Sequence, residues 1–268
     1  MNLIVHNQPA YAYTGGKPFD AGKPTLVFIH GVANDHSVWQ LQSRYFAHHG
    51  FNSIAVDLPG HGRSGGMPCH SIGGYADWLA AFLDAAGIAK ASLIGHSMGS
   101  LIAIETARQH PAKVSKLILL GVSLPMPVAD ALLAAAKDDP ATAYDMLTLW
   151  GHSTQTRLGK SPVPGMSLLG NAHRLIEQSQ PGALYSDLKA CKEYSPDASA
   201  IKKITCATLV IAGTRDQMTP AKAGLAAAAL LGSATSVMLD AGHAMMSEAP
   251  DAVLAGMRRF ASGATAPA

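Results

Sequence analysis

Five consecutive residues, Gly95-His96-Ser97-Met98-Gly99, lie between the apolar runs 91–94 and 101–104. That pattern implies a strand, a tight turn and a helix, with glycines where side chains would obstruct so sharp a bend. A serine at the tip of the turn presents its hydroxyl at a helix N-terminus, which favours developing negative charge. The hydroxyl becomes a nucleophile once an imidazole takes its proton and an acid holds that imidazole in the right tautomer. Among twelve histidines, His243 fits the first requirement, because it follows the apolar run 236–239 in a short loop from which a ring can lean over the turn. Asp216 fits the second, directly beyond the run 207–211, whereas Asp240, three residues before His243, is too constrained to reach the ring from behind. Covalent acyl transfer is the chemistry this set supports.

Positioning these residues requires a strand ending just before each of them. Continuous apolar runs at 25–29, 53–56, 91–94, 116–120 and 207–211 read as strands covered on both faces. Helical spacing marks 37–49, 72–86, 97–109, 220–231 and 247–260. Short strands at 3–5 and 10–13 read as an antiparallel hairpin at the sheet edge. The alternation predicts an α/β fold, a mostly parallel, doubly wound sheet of about eight strands with helices on both faces. Between 123 and 196 it stops, and helical patterns at 128–137, 141–150, 167–178 and 182–194 succeed one another around a Pro/Gly-rich segment at 159–165. The chain is thus expected to divide into a core domain, 1–122 with 197–268, and an all-helical cap, 123–196. An insertion after a strand of a parallel sheet is expected over the carboxyl ends of the strands, where ligands bind.

Composition narrows the function classes. The 268 residues are 48% hydrophobic, enough for a sizeable core. A net charge of +2, with no basic run longer than Lys202-Lys203 or Arg258-Arg259, excludes an electrostatic footprint for nucleic acid. No apolar stretch approaches the ~18 residues of a membrane span, and residues 1–10 lack the basic and apolar regions of a secretory signal. A cytoplasmic monomer or homodimer acting on a small molecule is expected. Cys69, Cys191 and Cys206 are odd in number and without CxxC pairing, so they read as packing thiols. The glycine-rich stretch 57–66 lacks the Gly-Lys-Ser/Thr and GxGxxG patterns of nucleotide loops. No group of His, Cys, Asp and Glu has metal-ligand spacing, and no cofactor is expected.

Taken together, the 95–99 turn after a strand, His30-Gly31 after an earlier strand, Asp216 after a late one and His243 near the end resemble the α/β-hydrolase superfamily. The order Ser, Asp, His is the one that superfamily uses. The resemblance spans nearly the whole chain and is least specific in the cap. It implies an oxyanion hole formed by the amides of Met98 and Val32, a loop-anchoring role for His30 and a structural turn at 57–66. Gly121-Val122-Ser123-Leu124 offers no carboxylate at the alternative acid position that some members use. A serine at the nucleophile position separates the chain from branches similar to haloalkane dehalogenases and epoxide hydrolases, which use aspartate. The expected function is a serine hydrolase of the carboxylesterase type, cleaving small apolar carboxylic esters through an acyl-enzyme. A carbon–carbon bond hydrolase acting on ring-fission dienones and a non-catalytic small-molecule receptor are the alternatives. The extended Gly-rich stretch that some carbon–carbon hydrolases carry is not seen at 31–35. Candidate substrate contacts are His30, Gly31, Met126, Met146, Trp150, Met166 and Met245, with Met246 next to the base and His36, His61 and His70 in nearby loops.

Overall fold

Strand side chains point alternately to two faces, and here each set meets its own layer of helices. The computed structural model describes residues 1–263. The strands are β1 (Asn2–Val5), β2 (Gln8–Tyr13), β3 (Thr25–Ile29), β4 (Asn52–Val56), β5 (Ala91–His96), β6 (Val114–Leu120), β7 (Ala207–Gly213) and β8 (Ala234–Leu239). They form one sheet in the order β1-β2-β4-β3-β5-β6-β7-β8. β2 runs antiparallel to β1 and β4, and the remaining pairs are parallel. His6 and Asn7, both at positive φ, make the hairpin turn between β1 and β2, as the right-handed twist of paired strands favours.

The helices are α1 (Gln40–Ala47), α2 (Ile72–Ala85), α3 (Met98–Gln109), α4 (Asp130–Asp138), α5 (Pro140–Trp150), α6 (Thr154–Arg157), α7 (Leu168–Glu177), α8 (Ala183–Glu193), α9 (Ala198–Ile201), α10 (Ala221–Leu230), α11 (Met245–Glu248) and α12 (Pro250–Ala261). Val27, Ile29, Leu93, Leu117 and Leu119 of the sheet share a core with Tyr75, Leu79 and Phe82 of α2 and Leu101 of α3. Their neighbours Phe28, Ile94, Ile118 and Ile211 pack on the opposite face with Trp39, Phe46 of α1, and Val253 and Met257 of α12. Burial on both faces explains why these strands read as unbroken apolar runs.

Element boundaries depart from the sequence reading where local chemistry intervenes. The helix expected over 247–260 is two helices, because Pro250 supplies no amide and pushes Ala249 out of helical geometry, to φ −136°. The helix expected over 37–49 opens with a 3-10 turn, His36–Trp39. α6 and α9, four residues each, are too short to leave a periodic signal. Helices α4 to α9 lie in the chain between β6 and β7, and α8 packs on α3. Among the described residues no helix is long and apolar enough to cross a membrane, and Cys69, Cys191 and Cys206 are free thiols.

β3 lies between β4 and β5, so the chain winds outward from it in both directions. That reversal opens a crevice at the carboxyl ends of β3 and β5, the usual ligand position in an open α/β sheet. In register, Ile29 of β3 stands beside Gly95 of β5, which brings His30-Gly31-Val32 next to Ser97.

Candidate active site

Ser97 joins β5 to α3 at φ 54°, ψ −119°, a conformation that costs an ordinary residue about 1–3 kcal/mol. The surroundings enforce it. Its amide donates to Leu120 O at 2.9 Å, and Ser100 Oγ lies 2.8 Å from Gly95 O and 3.0 Å from Leu120 O. Glycine is required on both sides of the turn. A Cβ on Gly95 would fall 2.5 Å from Ser100 N, and one on Gly99 would overlap Ile29 O and come within 2.7 Å of His30 O. Gly99→Ala is therefore expected to destabilise the protein by at least ~2 kcal/mol, read as a lowered urea midpoint; an unchanged midpoint would contradict this packing.

His243 stands in the loop between β8 and α11. Its Nδ1 lies 2.8 Å from Asp216 Oδ2. Asp216, in the loop after β7, is held in turn: Oδ1 accepts the amides of Met218 and Thr219, both at 2.8 Å, and Oδ2 accepts the Thr219 hydroxyl at 2.7 Å. Burial pushes the Asp216 carboxyl up, but His243 and the Thr219 donors outweigh it and hold the group below its ordinary value. An ionised Asp216 accepts the Nδ1 proton, which leaves Nε2 of His243 with a lone pair. That atom is buried and has no protein partner. His96 Nε2 donates to His243 O at 2.9 Å and Ala244 N to Gly151 O at 2.8 Å, so the peptide that follows His243 is tied through both its oxygen and its N–H. A side chain on Gly121, after β6, would strike the His243 ring at 2.9 Å.

Ser97 and His243 line one cavity of about 520 Å³ together with Gly31, Val32 and Met166. Met126 lines a smaller adjoining cleft that also touches Ser97 and His243. The Met98 amide belongs to the first turn of α3, where backbone N–H groups have no acceptor within the helix. Among the described residues, the Val32 amide likewise donates to no protein acceptor, although Ala33 and Asn34 beside it do.

Four of the expected substrate contacts lie elsewhere. His30 is fully buried, its Nδ1 on Gly31 O at 2.8 Å and its Nε2 accepting Leu58 N at 3.1 Å, and burial lowers its pKa to about 4. Met245 is fully buried in the α1/α12 core. Met146 and Trp150 pack against the other core, while Leu147, Thr148 and Gly151 of the same segment line the cavity. Residues at i and i+1 are about 100° apart on a helix, so a phase error of one residue accounts for the substitution.

The nearby loop histidines separate. His36 Nδ1 bonds Asp57 Oδ1 at 2.7 Å, His61 bonds Asp187, and His70 lines a different cavity of about 390 Å³. Sequence reasoning missed His152, which lines the catalytic-side cavity; its Nδ1 is 2.8 Å from Thr148 O and burial lowers its pKa. It also missed Met218, two residues beyond the acid, whereas Met246, expected beside the base, does line the cavity. Asp35, His36 and Asp57 bring ligand atoms within 4.8 Å of one another, a grouping that sequence spacing does not reveal. Both oxygens of Asp57 are already used, accepting the amides of His36 and Arg63 at 2.8 Å each, and Oδ1 of Asp35 accepts Ser37 N at 2.7 Å.

The model of the alpha/beta hydrolase family matches residues 26–256. The chain belongs to this family. A 2-hydroxy-6-oxononadienedioate/2-hydroxy-6-oxononatrienedioate hydrolase of Paraburkholderia phymatum is 31% identical over 231 residues, 76% of this chain and 75% of that protein. The enol-lactonase of Burkholderia xenovorans superposes with a TM-score of 0.87 at 21% identity, covering 98% of this chain and 100% of that one. A thermophilic esterase of Thermogutta terrifontis does so with a TM-score of 0.84 at 20% identity, covering 98% of each. These likenesses establish an alpha/beta hydrolase with the fold of both structures.

Proposed function

We propose that this hydrolase cleaves small carboxylic esters through an acyl-enzyme on Ser97. The observation that carries the reading is the unpartnered Nε2 of His243, whose opposite nitrogen is held by Asp216, in the cavity that Ser97 lines. Ser97 Oγ attacks the carbonyl carbon while His243 Nε2 takes its proton. The amides of Met98 and Val32 receive the charge that develops on the carbonyl oxygen. His243 then protonates the leaving alcohol, and water, activated by the same imidazole, releases the acid and restores Ser97. The chain between β6 and β7 acts as a cap, supplying Leu147, Met166, Leu168 and Ile176 to the cavity wall. A cavity of about 520 Å³ with such a wall suits an apolar group of modest size.

Carbon–carbon bond hydrolysis of a ring-fission dienone is the second reading, favoured by the name of the 31% identical relative. It passes through the same tetrahedral oxyanion. A p-nitrophenyl ester series from acetyl to octanoyl, run beside a ring-fission dienone, separates the two. Esters of short and medium acyl length are expected to turn over at least ~100-fold faster than the dienone, the scale of one lost transition-state interaction. Faster turnover of the dienone than of every ester would replace the first reading by the second. Fluorophosphonate labelling without turnover of either would indicate a receptor.

A further inference from the structure

The cap and the candidate oxyanion loop meet at a carboxylate that no local motif announces. Asp187, on α8, is fully buried. Its Oδ2 accepts the Ala33 amide at 2.9 Å and Nε2–H of His61 at 2.8 Å, and its Oδ1 accepts the Tyr75 hydroxyl at 2.6 Å. His61 is equally enclosed, with its other nitrogen, Nδ1, 3.0 Å from Pro59 O. A ring with an acceptor at each nitrogen and no donor facing it carries two protons, so the pair is imidazolium with carboxylate. Burial opposes both charges, yet their attraction and hydrogen bonds prevail, leaving His61 above and Asp187 below its ordinary pKa.

Such a pair is costly to bury, and as a source of stability it is generally matched by apolar side chains. Its position gives it another use. Ala33 has φ 51°, a left-handed conformation that a residue with a Cβ seldom adopts. The Ala33 amide belongs to the peptide that follows Val32, so the bond to Asp187 fixes the rotation of Val32 at its carboxyl side. Asn34 N closes the same turn on Gly31 O at 3.4 Å. With both ends of the turn held, the Val32 amide has one direction left to face.

We propose that Asp187 and His61 are positioning residues that hold the 31–34 turn so that the Val32 amide faces the oxyanion, and that they make this alignment depend on α8 being docked. The inference rests on the Ser97 acyl-transfer reading. Because Asp187 comes from the cap and Ala33 from the core, movement of α8 away from the sheet would release the donor. α8, whose Leu188 and Cys191 line the smaller cleft beside Ser97 and His243, thereby also completes the machinery that acts on the substrate.

Two variants test it. Asp187→Asn preserves shape and one acceptor; the double variant H61L with D187L exchanges the pair for apolar side chains, a replacement that proteins tolerate in stability. Each is assayed with p-nitrophenyl butyrate, with turnover counted per fluorophosphonate-titrated site. Inhibition by a trifluoromethyl ketone, which forms a tetrahedral oxyanion on serine, is compared with inhibition by an unreactive amide of the same acyl group. The expected result is a kcat lower by about fivefold or more in D187N and by ~100-fold in the double variant, the scale of a lost oxyanion donor. KM and amide inhibition should stay within about twofold, while ketone affinity falls in parallel with kcat. Unchanged kcat and ketone affinity per titrated site, with or without a lower melting temperature, would overturn the proposal and leave the pair a structural tie. A wild-type protein inert to both ester and fluorophosphonate would instead overturn the Ser97 reading.

Discussion

Ser97→Ala is expected to lower ester turnover by about 10⁵- to 10⁶-fold, since removing a serine nucleophile disables the whole covalent route. Stability should change by less than ~1 kcal/mol, because alanine has the same Cβ and occupies the same strained turn. Ser97→Gly makes the contrast sharper. Glycine accepts φ 54° without steric cost, so that variant should be equally inactive and more stable than the wild type by about 1 kcal/mol. The two variants together separate the loss of the hydroxyl from the release of strain. Urea unfolding and p-nitrophenyl butyrate turnover measure the two quantities, and substantial activity in either variant would remove Ser97 from the mechanism.

Asp216→Asn is expected to cost ~10³- to 10⁴-fold in kcat while the fold is retained. The direction follows from the donors around the side chain. Oδ1 of Asp216 faces two amide donors, those of Met218 and Thr219, so the single oxygen of asparagine must take that place. Its NH₂ group is then turned toward His243 Nδ1, which can only accept. The imidazole is forced to carry its proton on Nε2, the atom that should receive the proton of Ser97. Loss of the carboxylate also removes the charge that would stabilise the imidazolium. Steady-state turnover from pH 6 to 9 checks this, and a loss under tenfold throughout would contradict the assigned tautomer.

Those residues were legible because each sits directly past a strand, and in a parallel sheet the strand ends share one edge. Ser97, Asp216 and His243 could therefore be placed from apolar runs and glycines, whereas Val32 entered through what the resemblance to the α/β-hydrolase superfamily implies. Gly95 and Gly99 were informative for a steric reason, since no other residue fits against the backbone of its neighbours there. The cavity wall was less legible. α5 is apolar on several faces, so its sequence does not say whether Met146 and Trp150 or Leu147 and Gly151 turn toward the cleft. The same ambiguity left Met245 and Met246 undivided: Met245 is buried in the core, and Met246 reaches the cavity wall. His30 stood at the right strand end, but its two nitrogens are spent on Gly31 and Leu58. Asp187 left no trace, because its bond to Ala33 spans 154 positions and depends on how α8 docks.

The central claim is that Ser97 is the nucleophile, and peptide mapping of the protein after reaction with a fluorophosphonate tests it most directly. The expected result is one adduct, on the peptide that contains Ser97, absent from Ser97→Ala and formed far more slowly in Asp216→Asn. An adduct on a different side chain, or undiminished ester turnover by protein fully modified at Ser97, would contradict it.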